Sequence, residues 1–536
     1  MMKRLKLSLG WIMGVLFSMT CAAAPEWLPL DLINGKGTAK FAQSNDVMTV
    51  EGCIRNESAL DPAPPPAWKT AVPRPVYDAD PSLVALYYKA WELAWRNVKH
   101  QPGITQSPYM DEACWESHIW IWDTCFMSLF CKYAPDVYPG VESLRNFYVP
   151  MHGDRKSGTS LKIQHPDNPP LFAWAEYDNY KFTDDRQHIE ELVTKEQYLQ
   201  KHFTWFCNPT NRYRPTALVA RPDGYEWNGV ASGMDNTPRG RNGTVLWVDA
   251  LAQQGLSALY ISRLAEAAGN AEEAARWKDE YANIKKKVND LYWDEAAGIY
   301  YDIMADTKAK SYILTPASVW PMFAEMCSQA QAERIIKHIT DPNGLGGQYP
   351  WVTLARNDKD FNAETGDYWR GGIWLPTAYM GIKALEKYGF HELAAANAAA
   401  LVNQMNDTFK DYAPHTIWEC YNPNKAEPST ERGRRARPDF CGWSALGPIS
   451  LFIENILGFH TVDAGRNEVQ WRLSQPCRHG IEHLRFGKVD TDIIFDGKST
   501  VSVKSNAPYK LIINGRAHQI PAGSSKVGNI QLGKAR

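Results

Sequence analysis

Apolar residues recur at helical spacing over most of the middle of the chain. The stretch PSLVALYYKAWELAWRNVKH, from residue 81, places them three and four residues apart, as on one face of an α-helix. The spacing returns in VDALAQQGLSALYISRLAEAAG and AEEAARWKDEYANIKKKVNDLYW, which a short glycine-containing turn joins. The pattern predicts about a dozen helices in successive hairpins over residues 81–462. Two concentric rings of helices, an (α/α)6 barrel, would suit it, and a large irregular bundle is the alternative.

The pattern changes on both sides of this region. Over residues 463–536, segments such as STVSVKS and YKLIINGRAHQI alternate apolar and polar residues and carry Asn-Gly and Asp-Gly turn signals. This texture predicts a small C-terminal antiparallel β domain of sandwich-like form. Residues 24–80 lack periodicity and include DPAPPPAWKTAVPRP, which is typical of an extended segment. Residues 1–23 combine a basic start, a short apolar core and small residues, and are predicted to be a signal peptide.

Export would place the protein in the periplasm or outside the cell. Removal of the leader takes away Lys3, Arg4 and Lys6, so the formal net charge moves from −2 to −5. Such a mildly acidic chain has no electrostatic basis for binding nucleic acid. No later apolar run is long enough to span a membrane. Lipid attachment at Cys21 is the alternative, although the preceding SMT matches a lipobox poorly.

The cysteine content predicts no functional site, whereas the aromatic content indicates one. The ten cysteines include no CxxC pair, so no metal site is predicted, and most should be small buried residues. The unusual feature is a total of 21 Trp and 25 Tyr. Flat aromatic rings pack against sugar rings as well as within a core. Here they crowd beside acids in CWESHIWIWD, GDYWRGGIW and TIWECYNP, which makes these peptides candidates for carbohydrate chemistry.

Three acids lie in irregular peptides, and tryptophans directly precede two of them. Asp235 lies in ASGMDNTPRGR, Glu419 follows Trp418 in TIWECYNP, and Asp123 follows Trp122 in WIWDTCF. Cleavage of a glycosidic bond needs one protonated carboxyl and one ionised carboxylate facing each other across the bond. Each acid also has an ordinary interpretation: a turn residue for Asp235, an ion-paired loop acid for Glu419, and a helix cap for Asp123.

Six peptides taken in order resemble the inverting α-glycosidases of glycoside hydrolase family 63, with similarity to the trehalases of family 37. They are WIWDTCF, HPDNPPLFAWA, SGMDNTPR, GDYWRGGIWLPTAY, WECYNP and FCGWSAL. The resemblance covers residues 81–462 and implies an (α/α)6 barrel. It also implies an exo-acting, α-glucosidase-like enzyme that hydrolyses an α-linked oligosaccharide or glycoside with inversion, without a cofactor in the chemistry.

The same resemblance implies roles for individual residues. Asp235 corresponds to the general acid, which must stay protonated near neutrality. Glu419 corresponds to the general base, which must stay ionised, so polar or cationic neighbours are expected. The implied substrate-binding residues are Trp122 and Asp123 in the −1 subsite, Trp369 and Arg370 in the pocket, Trp174 with Pro169 and Pro170 at its mouth, Trp443 closing the site, and Asn236 and Trp418 beside the two acids.

Two features depart from the family pattern. Related chains usually have an acidic residue where this chain has Ala231, although Glu226 is close by. The base motif is followed by NKAEPSTERGRRARPDF, which contains Arg432, Arg434, Arg435 and Arg437. Such a cluster is ordinarily a solvated basic loop. The sharper interpretation is a lid over a plus subsite that recognises an anionic aglycone or a charged sugar.

Two other classes of function stay open on the sequence. Ala231 favours a carbohydrate-binding protein that kept the barrel and lost turnover, whereas the two carboxylates favour an enzyme. An (α/α)6 lyase or epimerase would need a His or Tyr base, and His118, His165 and His415 lie near the motifs. Neither class explains six ordered matches.

Overall fold

The structure, a computed structural model, describes most of the chain beyond residue 67. It covers residues 68–100, 104–112, 119–152, 167–207 and 218–533, and the backbone of short strands at 41–44, 47–50 and 162–164. The predicted signal peptide with Cys21, most of the predicted extended segment, His118 and His165 lie outside the described residues.

Helices dominate between residues 81 and 456, as the apolar periodicity predicts. Six helical elements pack side by side in chain order, each against the next, and the last contacts the first. They are Ile121–Cys131, Phe172–Thr183, Val248–Ala267, Trp320–Phe323, Leu375–Lys387 and the π-helix Gly447–Ile456. We call them the inner helices. Every residue of the first and last of them is buried.

The remaining helices lie against the inner ones and are amphipathic. Their main members are Pro81–Arg96, Arg145–His152, Tyr198–Phe206, Ala271–Tyr292, Gln329–Thr340 and His391–Asp411. Helix Ala271–Tyr292 buries Trp277, Ile284 and Val288 on one face and begins at Asn270, whose side chain accepts a hydrogen bond from the helix backbone. It follows Val248–Ala267 through a left-handed glycine, Gly269.

The segment EELVTKEQYLQKHFTWF, predicted as one helix, is divided in the structure. A short helix, Arg186–Glu190, continues into the π-helix Glu191–Lys195, and a separate helix, Tyr198–Phe206, follows. The break occurs at Gln197, whose φ of 55° is left-handed and cannot continue a helix. Apolar spacing on both sides of this residue remains helical, so the periodicity did not reveal the interruption.

The C-terminal region consists of two β-sheets, which confirms a mostly helical chain followed by a β region. One sheet contains Thr461–Asp463, Glu468–Trp471, Tyr509–Ile513 and Arg516–Ile520 in spatial order. The other contains Gly523–Val527, Val501–Ser505, Val489–Asp496, Arg478–Phe486 and Arg74–Tyr77.

Two details of this region differ from the prediction. Strands Glu468–Trp471 and Tyr509–Ile513 are parallel, so the predicted purely antiparallel arrangement is wrong for this pair. Between them the chain passes through the second sheet and returns in the same direction, which is the long crossover that parallel strands require. Strand Arg74–Tyr77, from the segment predicted to be extended, pairs with Arg478–Phe486 and so joins the C-terminal sheet.

Short strands in the helical region shape its loops. They are Val98–Lys99 with Tyr109–Met110, Trp293–Asp294 with Ile299–Tyr300, Thr430–Glu431 with Arg434–Arg435, and a four-stranded sheet of Ile303–Met304, Val245–Leu246, Gly224–Glu226 and Val219–Arg221. Across the described part of the chain, no helix combines the length and apolar character needed to cross a bilayer. The cysteines described there are free thiols, and five of the seven are buried.

Candidate active site

A tight turn presents Asp235 at one end of the inner helices. The short helix Gly229–Ser232 starts at Asn228, whose side chain caps Ala231, and it stops at Gly233 with a φ of 78°. A Cβ on Gly233 would lie 3.1 Å from the ring of Trp122, so glycine supplies both the left-handed conformation and the close approach. The interrupted helical pattern in ASGMDNTPRGR therefore brings Asp235 beside the first turn of Ile121–Cys131.

A buried arginine fixes the far side of this turn. The guanidinium of Arg239 donates to both carboxylate oxygens of Asp249, at 2.6 and 2.7 Å, and to both of Asp302, at 2.8 and 2.6 Å. It also lies 4.0 Å from the ring centroid of Trp247. Charge-assisted pairs of this geometry are among the strongest polar contacts in proteins, so the peptide that carries Asp235 is anchored to a rigid element.

Asn236 connects the Asp235 turn to the GDYWRGG peptide. Its side chain donates to the carbonyl of Asp367 at 2.9 Å and accepts from the backbone N–H of Trp369 at 2.8 Å. Between these contacts, Asp367 and Tyr368 have φ values of 34° and 67°, which non-glycine residues rarely adopt. The strained segment directs the Tyr368 hydroxyl to Oε1 of Glu419, to which it donates at 2.8 Å.

Glu419 is buried, and its carboxylate has a second side-chain partner, the guanidinium of Arg437. Arg437 Nη1 donates to both carboxylate oxygens, at 2.7 and 2.8 Å. The indole of Trp443 donates to the Glu419 carbonyl at 3.1 Å, and so does the Ser444 hydroxyl, also at 3.1 Å. The expectation of polar or cationic neighbours for Glu419 agrees with these contacts.

Burial, and after it mutual repulsion, raises the pKa values of Asp235, Asp123 and Glu112. Asp235 retains contact with solvent, but the enclosing protein, and after it the charges of Glu419 and Glu431, raise its pKa to about 7. Burial raises the pKa of Asp123 well above its ordinary range, and Glu419 and Asp235 add to that shift. The pKa of Glu112 responds in the same way, with burial first and Asp123 second. The mutual shifts show that these carboxyls share one electrostatic environment.

Four tryptophans form a continuous row that joins the two acid-bearing segments, since Trp122 packs near Gly233 and Trp443 donates to the Glu419 carbonyl. Trp369 stacks on Trp374 at a centroid distance of 4.1 Å, and Trp122 meets Trp369 edge-on at 6.2 Å. On the other side, Trp374 contacts Trp443 at 5.3 Å. Trp374 directly precedes helix Leu375–Lys387, and Trp122 lies in the first turn of Ile121–Cys131. The starts of these two inner helices therefore lie at the end where Asp235 and Glu419 lie.

Other predicted site residues take different places. Trp418 is buried against Tyr412, and Arg370 is exposed, with its Nε 3.5 Å from the Asn236 carbonyl. Trp174 contacts Phe126, whose ring also contacts Trp122, and it lines a separate cavity at the other end of the inner helices.

The nearby segments have structural contacts of their own. Pro170 accepts a hydrogen bond from Ser257 through its carbonyl, and Pro169 is buried beside it. Ala231 is fully buried, and its carbonyl accepts from Asn168. His415 is exposed and contacts the Phe409 carbonyl, so the only one of the three candidate histidines within the described residues has a contact outside the acid cluster.

The four arginines of the cluster have different surroundings: some are exposed to solvent, and Arg437 contacts Glu419. Strands Thr430–Glu431 and Arg434–Arg435 form a small hairpin on which Arg434 and Arg435 are exposed. Arg435 lies 4.7 Å from the ring centroid of Tyr412, and the backbone N–H of Arg432 donates to Asp367 Oδ1 at 3.2 Å. Arg437, predicted only as part of a basic loop, is bound to Glu419.

Tyr368 and Arg437 are the contacts of Glu419 that sequence reasoning missed. Tyr368 was within reach, because it lies inside the GDYWRGG peptide beside Trp369. Arg437 gave a weaker signal, since nothing in its local sequence distinguishes it from the exposed arginines before it. Glu112 lies outside all six peptides, and only its burial beside Asp123 draws attention to it.

Comparison with known proteins identifies the family. Residues 145–441 match the mannosylglycerate hydrolase MGH1-like glycoside hydrolase domain. The chain belongs to this family of glycoside hydrolases. The match includes Asp235, Asn236, the 367–370 segment and Glu419, and the related proteins confirm the resemblance to family 63 and to the trehalases.

Individual relatives agree with this assignment. An uncharacterized protein of Borreliella burgdorferi is 26% identical over 465 residues, covering 82% of this chain and 94% of its own. A probable mannosyl-oligosaccharide glucosidase of Schizosaccharomyces pombe is 27% identical over 286 residues, covering 48% of this chain. The aligned part spans only 34% of that glucosidase.

One solved structure has the same overall fold. It is the family 63 mannosylglycerate hydrolase from Thermus thermophilus in complex with Tris and D-glycerate, with a TM-score of 0.52 and 17% identity. The alignment covers 68% of this chain and 99% of that one.

Proposed function

We propose that the protein is an exo-acting, inverting α-glycoside hydrolase of α-glucosidase-like type that works in the periplasm or outside the cell. Asp235 is the general acid and Glu419 the general base. The closed order of six inner helices, with amphipathic helices packed outside, is the (α/α)6 barrel of this proposal. Its single strongest support is the pairing of a proton-retaining Asp235 with a cation-bound Glu419 at one end of the barrel.

The state of Asp235 suits proton donation. A general acid works best when its pKa lies near the working pH, because it then holds its proton and still releases it readily. With a pKa of about 7, Asp235 keeps a large protonated fraction at neutrality. Its contact with solvent leaves the carboxyl accessible to the leaving oxygen of a glycoside.

The contacts of Glu419 suit a base that binds water. Burial raises the pKa of Glu419, which makes it a stronger base, while Arg437 and Tyr368 stabilise its ionised form and oppose that rise. A carboxylate has about four acceptor positions. The Tyr368 hydroxyl and Arg437 Nη1 use three of them, and the Arg437 backbone N–H uses the fourth through a longer contact of 3.4 Å. The attacking water that inversion requires would take the place of this long contact on Oε2.

The substrate assignments follow from position relative to these acids. Trp122 and Asp123, at the start of an inner helix, form the −1 subsite, with Trp369 as the buried support of its floor. Trp443, whose indole is bonded to the Glu419 carbonyl, closes the site. Asn236 acts by holding the 367–369 backbone, Arg370 faces the entrance, and Trp418 supports Glu419 from the interior.

A substrate with an anionic aglycone is the more specific candidate. Glu419 and Glu431 raise the pKa of Asp235, whereas Arg437 and Arg432 lower it. Because Arg437 is paired with Glu419, Arg432 is the cation near Asp235 that could act on an anionic leaving group. The hairpin adds the exposed Arg434 and Arg435. The family description and the D-glycerate complex of the Thermus enzyme name a substrate and a ligand with a carboxylate.

Substitution of each acid tests the mechanism. Asp235→Asn and Glu419→Gln should each lower kcat by about 10²–10⁴-fold, the usual contribution of a general acid or base, while the fold is retained. Asp279→Asn, on the exposed face of an outer helix, is the matched control and should leave kcat unchanged. Near-normal turnover by either active-site variant on a true substrate would contradict the assignment.

Product stereochemistry tests inversion separately. Proton NMR in the first minutes of reaction should show the β-anomer released from an α-linked substrate, because water attacks from the face opposite the leaving group. Early release of the α-anomer would exclude inversion while leaving glycoside hydrolysis intact.

The anionic-aglycone candidate has its own test. The double variant Arg434→Ser and Arg435→Ser should raise KM for an anionic glycoside while leaving KM for a neutral glycoside of the same sugar unchanged. Added salt should reproduce the effect in part. Equal changes for both substrates would remove charge recognition by the hairpin from the proposal.

A further inference from the structure

The opposite end of the inner helices has a cavity of its own, which is partly open to solvent. Its volume is about 420 Å³, within the range of sites that hold small ligands. Lys132 follows the end of Ile121–Cys131, Lys383 lies in the last turns of Leu375–Lys387, and Glu454 lies near the end of Gly447–Ile456. Thr461 and Gln470, from the first C-terminal sheet, complete the rim.

Every lysine that lines this cavity is already paired with a carboxylate. Lys132 contacts Asp178 at 2.7 Å and Glu454 at 3.5 Å. Lys383 contacts Glu454 at 2.5 Å. The other two lysines are paired in the same way, Lys181 with Asp463 and Lys387 with Glu325. Glu386 also contacts Lys383, at 3.0 Å, so the four lysines are paired with five carboxylates. An added anion would therefore gain no uncommitted cation from these lysines.

Aromatic side chains make up the rest of the wall. Trp174 and Tyr379 lie with their rings nearly parallel, 6.4 Å apart, and Phe459 lies toward the β-sheets. His391 also lines the cavity, and its buried Nδ1 has no hydrogen-bond partner among the described residues. The cavity wall thus combines aromatic surface with lysine hydrogen-bond donors and carboxylate acceptors.

We infer that this cavity is a second binding site and that it takes a neutral hexose, separate from the catalytic end. A sugar hydroxyl both donates and accepts, so it bridges a lysine and a carboxylate without disturbing their charge balance. The carbon face of the ring packs on aromatic surface. A neutral ligand also avoids the cost of adding an unpaired charge to a partly buried site. The inference does not depend on the roles of Asp235 and Glu419.

Binding stoichiometry tests the inference with D-glucose as the probe. Equilibrium dialysis is compared for the full-length protein and for Gln470→Trp, which places a large ring at the cavity rim on a strand, where aromatic residues are well tolerated. Gln519→Trp makes the same change at an exposed position of a strand in the same sheet. Gln470→Trp should bind one equivalent of glucose fewer than the natural protein, and Gln519→Trp should bind the same number.

Three further measurements check that the variants fold, where the sugar binds, and whether an anion competes with it. Thermal unfolding should show that both tryptophan variants fold. Crystals of the natural protein soaked in glucose should show the sugar between Lys383 and Trp174. Inorganic phosphate, as an anionic probe, should not displace it. Equal stoichiometry in Gln470→Trp and the natural protein, an empty cavity at saturating glucose, or displacement by phosphate would each overturn the inference.

Discussion

Two buried glutamates lie at opposite ends of the inner helices, and their pKa values are shifted in opposite directions. Glu419 is 2% exposed and Glu454 is 4% exposed, so both have lost almost all contact with water. Burial raises the pKa of Glu419. The same effect acts on Glu454, but Lys383 and Lys132 outweigh it and lower its pKa to about 2. Burial alone therefore does not decide the charge of a carboxyl in this protein; the neighbours decide it.

The side chains around Glu454 and Glu419 differ in the number of cations that each carboxylate contacts. Glu454 receives two ammonium groups and the hydroxyls of Tyr133 and Tyr379. Glu419 has one guanidinium and one hydroxyl, and it shares its surroundings with Asp235 and Asp123. Lysines at helix ends also complement the partial negative charge there. The end that carries Asp235 and Glu419, which we propose to be catalytic, leaves its acids under repulsion, and such sites are where pKa values suited to proton transfer occur.

The largest expected effect comes from the same substitution at both glutamates. Glu454→Gln should lower the free energy of unfolding by about 3–5 kcal/mol, because Lys132 and Lys383 would lose a buried partner, while kcat of the folded enzyme stays close to normal. Glu419→Gln should lower kcat by about 10²–10⁴-fold with a much smaller change in stability. Chemical denaturation and steady-state kinetics measure both quantities.

The pH dependence of stability adds a check on Glu454. Its folded pKa is lower than its ordinary value of 4.5, so its contribution is present above pH 4.5 and is lost as pH falls toward about 2. The natural protein should lose stability over this window more steeply than Glu454→Gln. Identical acid profiles would show that Glu454 is not the paired carboxylate that the structure describes.

The cation at Glu419 gives the next largest effect. Arg437→Met removes the charge that opposes the upward shift of the Glu419 pKa. The acidic limb of kcat/KM should move to higher pH, and kcat/KM at low pH should fall by about 10–100-fold, the equivalent of a hydrogen bond to a charged group. Arg437→Lys keeps the charge and should recover part of the loss. A uniform fall at every pH would indicate a purely structural role.

The basic limb of the pH profile reports on Asp235. In the proposed mechanism Asp235 must be protonated to act, so kcat/KM should decline above pH 7, by about tenfold per pH unit well above the pKa. Glu419 is the largest charge effect that raises the Asp235 pKa, so Glu419→Gln should lower that pKa. NMR titration of the Asp235 carboxyl in the two proteins measures the difference, and an unchanged pKa would separate the two acids electrostatically.

The same contrast explains what the sequence could predict. Helical spacing predicted most helices, because one buried face repeats every turn. The acid peptides stood out because turn residues and tryptophans interrupt that spacing around Asp235 and Glu419. The contact of Tyr368 with Glu419 joins residues 51 positions apart and depends on left-handed backbone at 367 and 368. No local pattern encodes such a contact, and none reveals that Trp174 lines the opposite cavity.

The smallest expected effect tests whether the proposed base, Glu419, depends on the hydrogen bonds of Asn236. Asn236→Ala removes two side-chain hydrogen bonds to the 367–369 backbone, which are worth about 1–3 kcal/mol together. Relaxation of the left-handed segment would let Tyr368 move from Glu419, so kcat should fall several-fold and KM should change less. Asn506→Ala likewise loses one hydrogen bond to a backbone carbonyl and one from a backbone N–H, but in the C-terminal β region, and should lower stability alone. If both variants lowered kcat equally, Asn236 would contribute to the fold and not to the alignment of the base.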